Sequence, residues 1–333
     1  MSHAFHTGTS RAAQRGAAIL MAMLTVTLVA TFAAAALWQQ WRSVEVEAAE
    51  RTRVQAAWVL TGALDWSRLI LREDARSGGA DHLAEPWAVP LQEARLSTFL
   101  AADKSGTTDA LADTENAFLS GQIIDLQSML NVNNLLEAGR ISETGLRSFQ
   151  RLFELLGLPA AQLSGLAENL RFASDISTDN RSAAQAPLMP QRVEQLGWLG
   201  LPPETVAVLQ PYVTVLPAQT RVNLNTASAE VISAAVNGLS LADAQRLVAG
   251  RASVHFRNIA DASKLAPGHE QAFNEGTVDV SSRFFEVHGR LRLDKTVVDE
   301  RSILQRDGTT VKTLQRERGV PELAAPPPSG SPR

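Results

Sequence analysis

The sequence predicts an α+β fold: a long N-terminal helix, transmembrane at first and amphipathic afterwards, packed on a small antiparallel sheet, with a large all-α insertion. Three observations predict it. Ala17 to Trp38 carries no charged residue, and at about 1.5 Å per residue that run spans roughly 33 Å, enough for a hydrocarbon core of about 30 Å. Helical spacing then continues without proline to about Arg76. Last, a strand-like segment near 117–127 is separated from a second strand-like region near 283–316 by a long helix-rich stretch.

The N-terminal element starts with a polar, basic leader holding Arg11 and Arg15 and no acid. Gly16 closes it, and the apolar run begins at once. Positive residues tend to stay cytoplasmic, so the bulk of the chain belongs on the far side of the membrane, the periplasm in a Gram-negative cell. Trp38 and Trp41 end the run, where amphipathic rings favour the headgroup layer. An ordinary signal peptide is the competing reading, with Ala33 to Ala36 as its cleavage site. The helical pattern argues against it, because Val54, Ala57, Trp58 and Leu64 extend the apolar spacing well past that point.

Ser77-Gly78-Gly79 breaks the helix. Up to about residue 116 the chain reads as loops and short helices, with Leu91 to Leu100 the best helical piece. Ala117 to Gln127 reads as a strand with a turn or bulge at Gly121. Asn131 to about Tyr212 is helix-rich, and Leu146 to Leu156 is clearly amphipathic. Thr226 or Asn225 is placed to cap a helix over Ala227 to Val236 that Gly238 ends, and Leu241 to Arg251 forms the next helix. The period then changes: Arg283 to Leu293 alternates, placing Phe285, Val287, Leu291 and Leu293 on one face. Thr296 to Gln305 is a second strand, Asp307-Gly308 a hairpin turn and Val311 to Leu314 the return strand. These elements give a leader 1–16, a transmembrane helix 17–38, an α/β domain from 39–130 and 276–318, a helical insertion 131–275, and a tail 319–333 too rich in proline to bury a core.

The net charge of −4 is spread without blocks, which gives no electrostatic case for nucleic acid. With no cysteine, the fold relies on core burial rather than disulfides, and a lipid-anchored cysteine is excluded. No Gly-x-Ser-x-Gly, P-loop or His-Glu-x-x-His is present, and the histidines are scattered without ligand spacing. Asp65 and Asp125 read as helix-face and turn residues rather than acid–base catalysts. The asparagines of Asn131-Val-Asn-Asn134 and Asn223-Leu-Asn-Thr226 read as turn and helix-start acceptors of backbone N–H groups.

Four stretches resemble the K minor pseudopilin family of type II secretion systems, in the family's order. Arg15-Gly16 followed by Ala17-Ala-Ile-Leu-Met21 resembles a prepilin cleavage signal. Gly121-Gln-Ile-Ile-Asp-Leu-Gln-Ser-Met-Leu-Asn-Val-Asn-Asn134 resembles the entry to the family's helical domain. Leu216-Pro217 through Val222-Asn-Leu-Asn-Thr-Ala227 is the third, and Ser281-Ser-Arg-Phe-Phe-Glu-Val287 leading to Glu300-Arg301 the fourth. The resemblance implies a pilin-like fold and a non-enzymatic structural subunit at the tip of the periplasmic pseudopilus. It implies cleavage between Gly16 and Ala17 by a prepilin peptidase and N-methylation of Ala17. Assembly would be initiated with minor pseudopilins I and J, from a single-pass position in the inner membrane. Most pilin-like proteins carry Glu at the fifth mature position; here it is Met21, and the K subtype characteristically lacks that Glu.

The resemblance also implies a calcium site in the helical insertion, carried here by Asp175, Asp179 and Asn180. The family's downstream Glu and Tyr are missing and Arg181 intrudes, so a solvated turn is the competing reading. Two other functions stand beside the pseudopilin. One is a minor pilin of a type IV pilus, which shares the first segment. The other is a membrane-anchored DNA-uptake protein, because Asn223 to Gly238 and Ala244 to Arg251 resemble a helix-hairpin-helix module. That module needs a second glycine where this chain has Ser240, and its backbone N–H groups must reach phosphate. Arg246, Arg251 and Arg257 stand among Asp243 and Asp261 and make no basic face.

Overall fold

The computed structural model describes residues 11–98, 116–175, 185–293 and 296–319. They fall into two compact units, Met1–Trp58 and Val59–Arg333. Helix α1 runs from Arg11 to Ser77 without interruption. Within the first unit every side chain from Ala17 to Arg51 is exposed. The most apolar window has mean hydropathy 2.2 and none of it is buried, so by length and composition this helix can cross a membrane.

In the second unit a five-stranded antiparallel sheet is built from β1 (Leu91–Arg95), β2 (Ala117–Asp125), β3 (Phe284–Leu293), β4 (Thr296–Asp307) and β5 (Thr310–Arg318). The spatial order is the chain order. β2 and β3 pair from Ala117 opposite Leu293 to Asp125 opposite Phe285. The helical block therefore leaves and re-enters the sheet at neighbouring positions. The last turns of α1 cover one face: Leu64 and Leu71 pack with Trp87, Phe285, Val287, Leu304 and Val311. Period-2 alternation sends Phe284 and Ile303 to the opposite face, where they meet Leu126 and Leu216. The hairpin between β4 and β5 has Gly308 at φ 55°, a conformation glycine adopts without a Cβ clash.

Between β2 and β3 lie α2 (Glu143–Leu155), α3 (Ala160–Ser174), α4 (Pro203–Leu209), α5 (Ala229–Ala235), α6 (Leu241–Ser253) and α7 (Ile259–Ser263). They bury one continuous core in which Phe149, Leu152, Leu170, Leu196, Ile232 and Leu247 are almost wholly hidden. Ser142, Ser228, Ser240 and Asn258 cap α2, α5, α6 and α7 by accepting backbone N–H groups.

The structure departs from the sequence reading at three places. Leu91 to Leu100, read as helical, opens with strand β1, because pairing with Phe118 to Gly121 supplies its backbone hydrogen bonds; residues 99 and 100 lie outside the described set. The bulge expected at Gly121 sits in β1, between Leu91 and Ala94, whereas β2 pairs with β3 in unbroken register. The cap of α5 is Ser228 rather than Thr226 or Asn225, because those two side chains are engaged elsewhere.

Candidate functional site

The first functional segment is the start of α1. Ala17 and Met21 are both exposed on it, Met21 at 68%, and the Gly16–Ala17 bond lies inside the helix. The apolar run contains three threonines, and each satisfies its hydroxyl on its own helix. Thr25 donates to the Ala22 carbonyl at 2.9 Å, Thr27 to Met23 at 3.0 Å and Thr31 to Leu28 at 2.8 Å. A segment in lipid must satisfy its polar groups internally, and these do.

The second is a buried polar knot where three of the sequence stretches meet. Asp125, at the end of β2, is 3% exposed. Its Oδ1 accepts from the Gln127 N–H at 2.8 Å. Its Oδ2 accepts from Asn223 Nδ2 at 3.0 Å, Thr226 Oγ1 at 2.6 Å and Ser282 Oγ at 2.6 Å. Burial pushes the Asp125 carboxyl above its ordinary range, against the pull of those donors. Asn223 also reaches the Asp81 carbonyl at 3.1 Å. Asn225 clasps Phe256 through both its N–H and its carbonyl. Asn131 and Asn134 bond the backbone of 216–220 in the same way, and Asn133 donates to the Leu216 carbonyl. The asparagines do accept local N–H groups, as Asn131 does from Asn133. Their larger role is to tie distant chain segments together. Asp125, read as a turn residue, is the centre of the knot; only its position at the end of an apolar alternating strand hinted at burial.

Beside the knot, Arg306 on β4 pairs with Asp74 at 2.5 Å, near the end of α1, and with Asp81 at 2.5 and 2.7 Å. Opposing charges hold Arg306 in its cationic form despite burial. Glu85 accepts from the His82 N–H at 2.8 Å and Trp87 Nε1 at 2.7 Å. One carboxylate oxygen each from Asp74, Asp81 and Glu85 lies within 4.8 Å of the others. Burial, assisted by the neighbouring Asp74, pushes Glu85 up to about 7, and burial pushes Asp81 up to about 6. This group locks α1 to the sheet. On β3, burial would raise Glu286, but His288 and Arg301 hold it below its ordinary value. His82 and His255, far apart in the chain, stack at 3.8 Å between ring centroids.

Of the calcium candidates, Asp175 alone falls within the described residues. Asp175 is exposed at the C-terminal cap of α3, and Asp179 and Asn180 lie outside the described residues. In the hairpin-like segment, Gly238 has φ 73° and Ser240 caps α6. Arg246 is paired with Asp243, and Arg251 is turned inward onto the Leu224 carbonyl at 2.5 Å.

A helix with a fully exposed apolar start, whose last turns pack on an antiparallel sheet interrupted by a helical block, defines a pilin-like protein with an inserted domain. Two family models, both described as type II secretion system protein K, match residues 128–218 and 222–281. The chain is 26% identical over 328 residues to the type II secretion system protein K of Pseudomonas aeruginosa, covering 92% of this chain and 90% of that one. It is 25% identical over 338 residues to the protein of the same name from Pectobacterium carotovorum subsp. carotovorum, covering 93% and 98%. A chain of the GspK–GspI–GspJ complex from the enterotoxigenic Escherichia coli type 2 secretion system has the same fold, with a TM-score of 0.63 and 18% identity over 82% of this chain and 99% of that one. The chain is thus similar to type II secretion system protein K over more than nine-tenths of its length, with two protein K domains between residues 128 and 281. It is a membrane-anchored, periplasmic component of that system.

Proposed function

We propose that this protein sits at the tip of the periplasmic pseudopilus and initiates its assembly with minor pseudopilins I and J, without enzymatic activity. The observation that carries the reading is the helical block between two directly paired strands. Bulk of that size can end a fibre, but it would obstruct a subunit stacked above it. The solved GspK–GspI–GspJ complex supports the choice of partners. In this reading residues 131–275 are the insertion, and 39–130 with 276–318 the pilin-like domain, although Gln39 to Trp58 groups with the anchor by compactness. A prepilin peptidase cuts between Gly16 and Ala17, Ala17 is N-methylated, and the N-terminus starts on the cytoplasmic side of the inner membrane.

Met21 fits the first position in a fibre. A glutamate there would pair with the terminal amine of an earlier neighbour, and the first subunit has none. A methionine leaves no unpaired carboxylate in lipid. Mass spectrometry of the native chain should find a methylated Ala17 terminus in the membrane fraction, and affinity purification should recover I and J with it. A freely soluble species beginning beyond Ala36 would overturn the reading.

A further inference from the structure

A cavity of about 270 Å³ lies inside the Val59–Arg333 unit, between the last turns of α1 and the face of the sheet they cover. Its walls are apolar: Leu60 and Leu64 from α1, Trp87, Ile123 from β2 and Val287 from β3. Its floor is open because Gly121 and Gly289 stand opposite each other on β2 and β3. A Cβ on Gly289 would come within 3.2 Å of Leu60 Cδ2, and one on Gly121 within 2.7 Å of the His288 carbonyl oxygen. Trp66, Val89 and Leu91 line the cavity and are 50%, 65% and 40% exposed, which marks its mouth.

One polar group in this cavity is unexplained. Ser302 on β4 is 1% exposed, lines the cavity and has no hydrogen-bond partner for its Oγ. Two neighbouring polar side chains are already engaged. Ser67 donates to the Ala63 carbonyl at 2.9 Å, and Glu300 accepts from Arg316 at 2.7 Å and Arg318 at 2.6 Å. A lone water needs two to four polar partners, and Ser302 Oγ is the lining side-chain atom that is buried and lacks one. An apolar cavity of about 150 Å³ stays dry and takes a benzene ring, so this one has room for roughly ten heavy atoms.

We propose that the cavity binds a small uncharged amphiphile, an alkyl or aryl body whose single hydroxyl or carbonyl pairs with Ser302. Charge is disfavoured because the cavity wall offers a ligand no free cation and its one carboxylate, Glu300, is already neutralised by two arginines. Binding would bridge α1 to β2, β3 and β4 and stiffen the helix–sheet contact.

The test titrates benzyl alcohol, and toluene as its hydroxyl-free counterpart, into the full-length chain held in lipid nanodiscs. The readout is the methyl NMR shifts of Leu64 and Ile123. Saturable shifts are expected, with benzyl alcohol about fivefold tighter than toluene, the worth of a typical hydrogen bond. Ser302→Val should erase that preference, and Ser67→Leu, which fills the cavity, should abolish both responses. Shifts that rise linearly with bulk partition into lipid would overturn the proposal, as would an undiminished preference in Ser302→Val. Should Ser67→Leu lose its dispersed spectrum, Ser302→Val decides alone.

Discussion

Asp125 illustrates what a single buried carboxylate does when four donors converge on it. Removing it leaves the buried Ser282 hydroxyl without an acceptor and strips Asn223 and Thr226 of their carboxylate partner, leaving Asn223 the Asp81 carbonyl and Thr226 only a long contact to the Asn223 carbonyl. Asp125→Ala should therefore cost about 3 kcal/mol, and Thr226→Val, which removes one donor, about 1 kcal/mol, measured by urea unfolding. Glu85 gives a pH signature instead. Its carboxyl is raised from an ordinary 4.5 to about 7, so the folded state prefers the neutral form. The stability this adds is present at low pH and is lost as pH climbs from about 4.5 through about 7. Glu85→Gln keeps a carbonyl acceptor for Trp87 and removes the charge. It should flatten the fall in melting temperature across that window and raise it at pH 7.5, as read by calorimetry.

Among the elements, α1 does two jobs with one continuous geometry. Its apolar start is exposed among the described residues, while Leu60, Leu64 and Leu71 are nearly hidden from water against the sheet. Met21→Glu would place a carboxylate in lipid at a cost of about 3 kcal/mol unless a neighbouring terminal amine receives it. The expected outcome is reduced secretion in a complementation assay, with unchanged folding of the Val59–Arg333 unit; full secretion would remove the charge argument. The strands show where local pattern was enough and where it was not. Arg283 to Leu293 alternates cleanly, and β3 forms there because one face meets α1. Leu91 to Arg95 has no such alternation, and its polar residues suit a helix as well as an edge strand. Only hydrogen bonding to β2 decided it.

Across the whole molecule, the anchor, the mixed fold and the long interruption between paired strands were legible in residues 17–38, 117–127 and 283–316. Each is a matter of periodicity or apolar length, which neighbouring residues determine. The knot around Asp125, the Arg306 pairs with Asp74 and Asp81, and the cavity above Ser302 were not legible. Their partners are separated by up to 232 positions, and no local pattern encodes which distant donor meets which acceptor. Sequence by itself determined which stretch is long and apolar enough to cross a membrane and most of the elements the chain forms, because hydrophobic length and period act over a few turns of chain. Tertiary structure alone decided which polar side chains lose their water, because that depends on what the folded chain brings to lie across them.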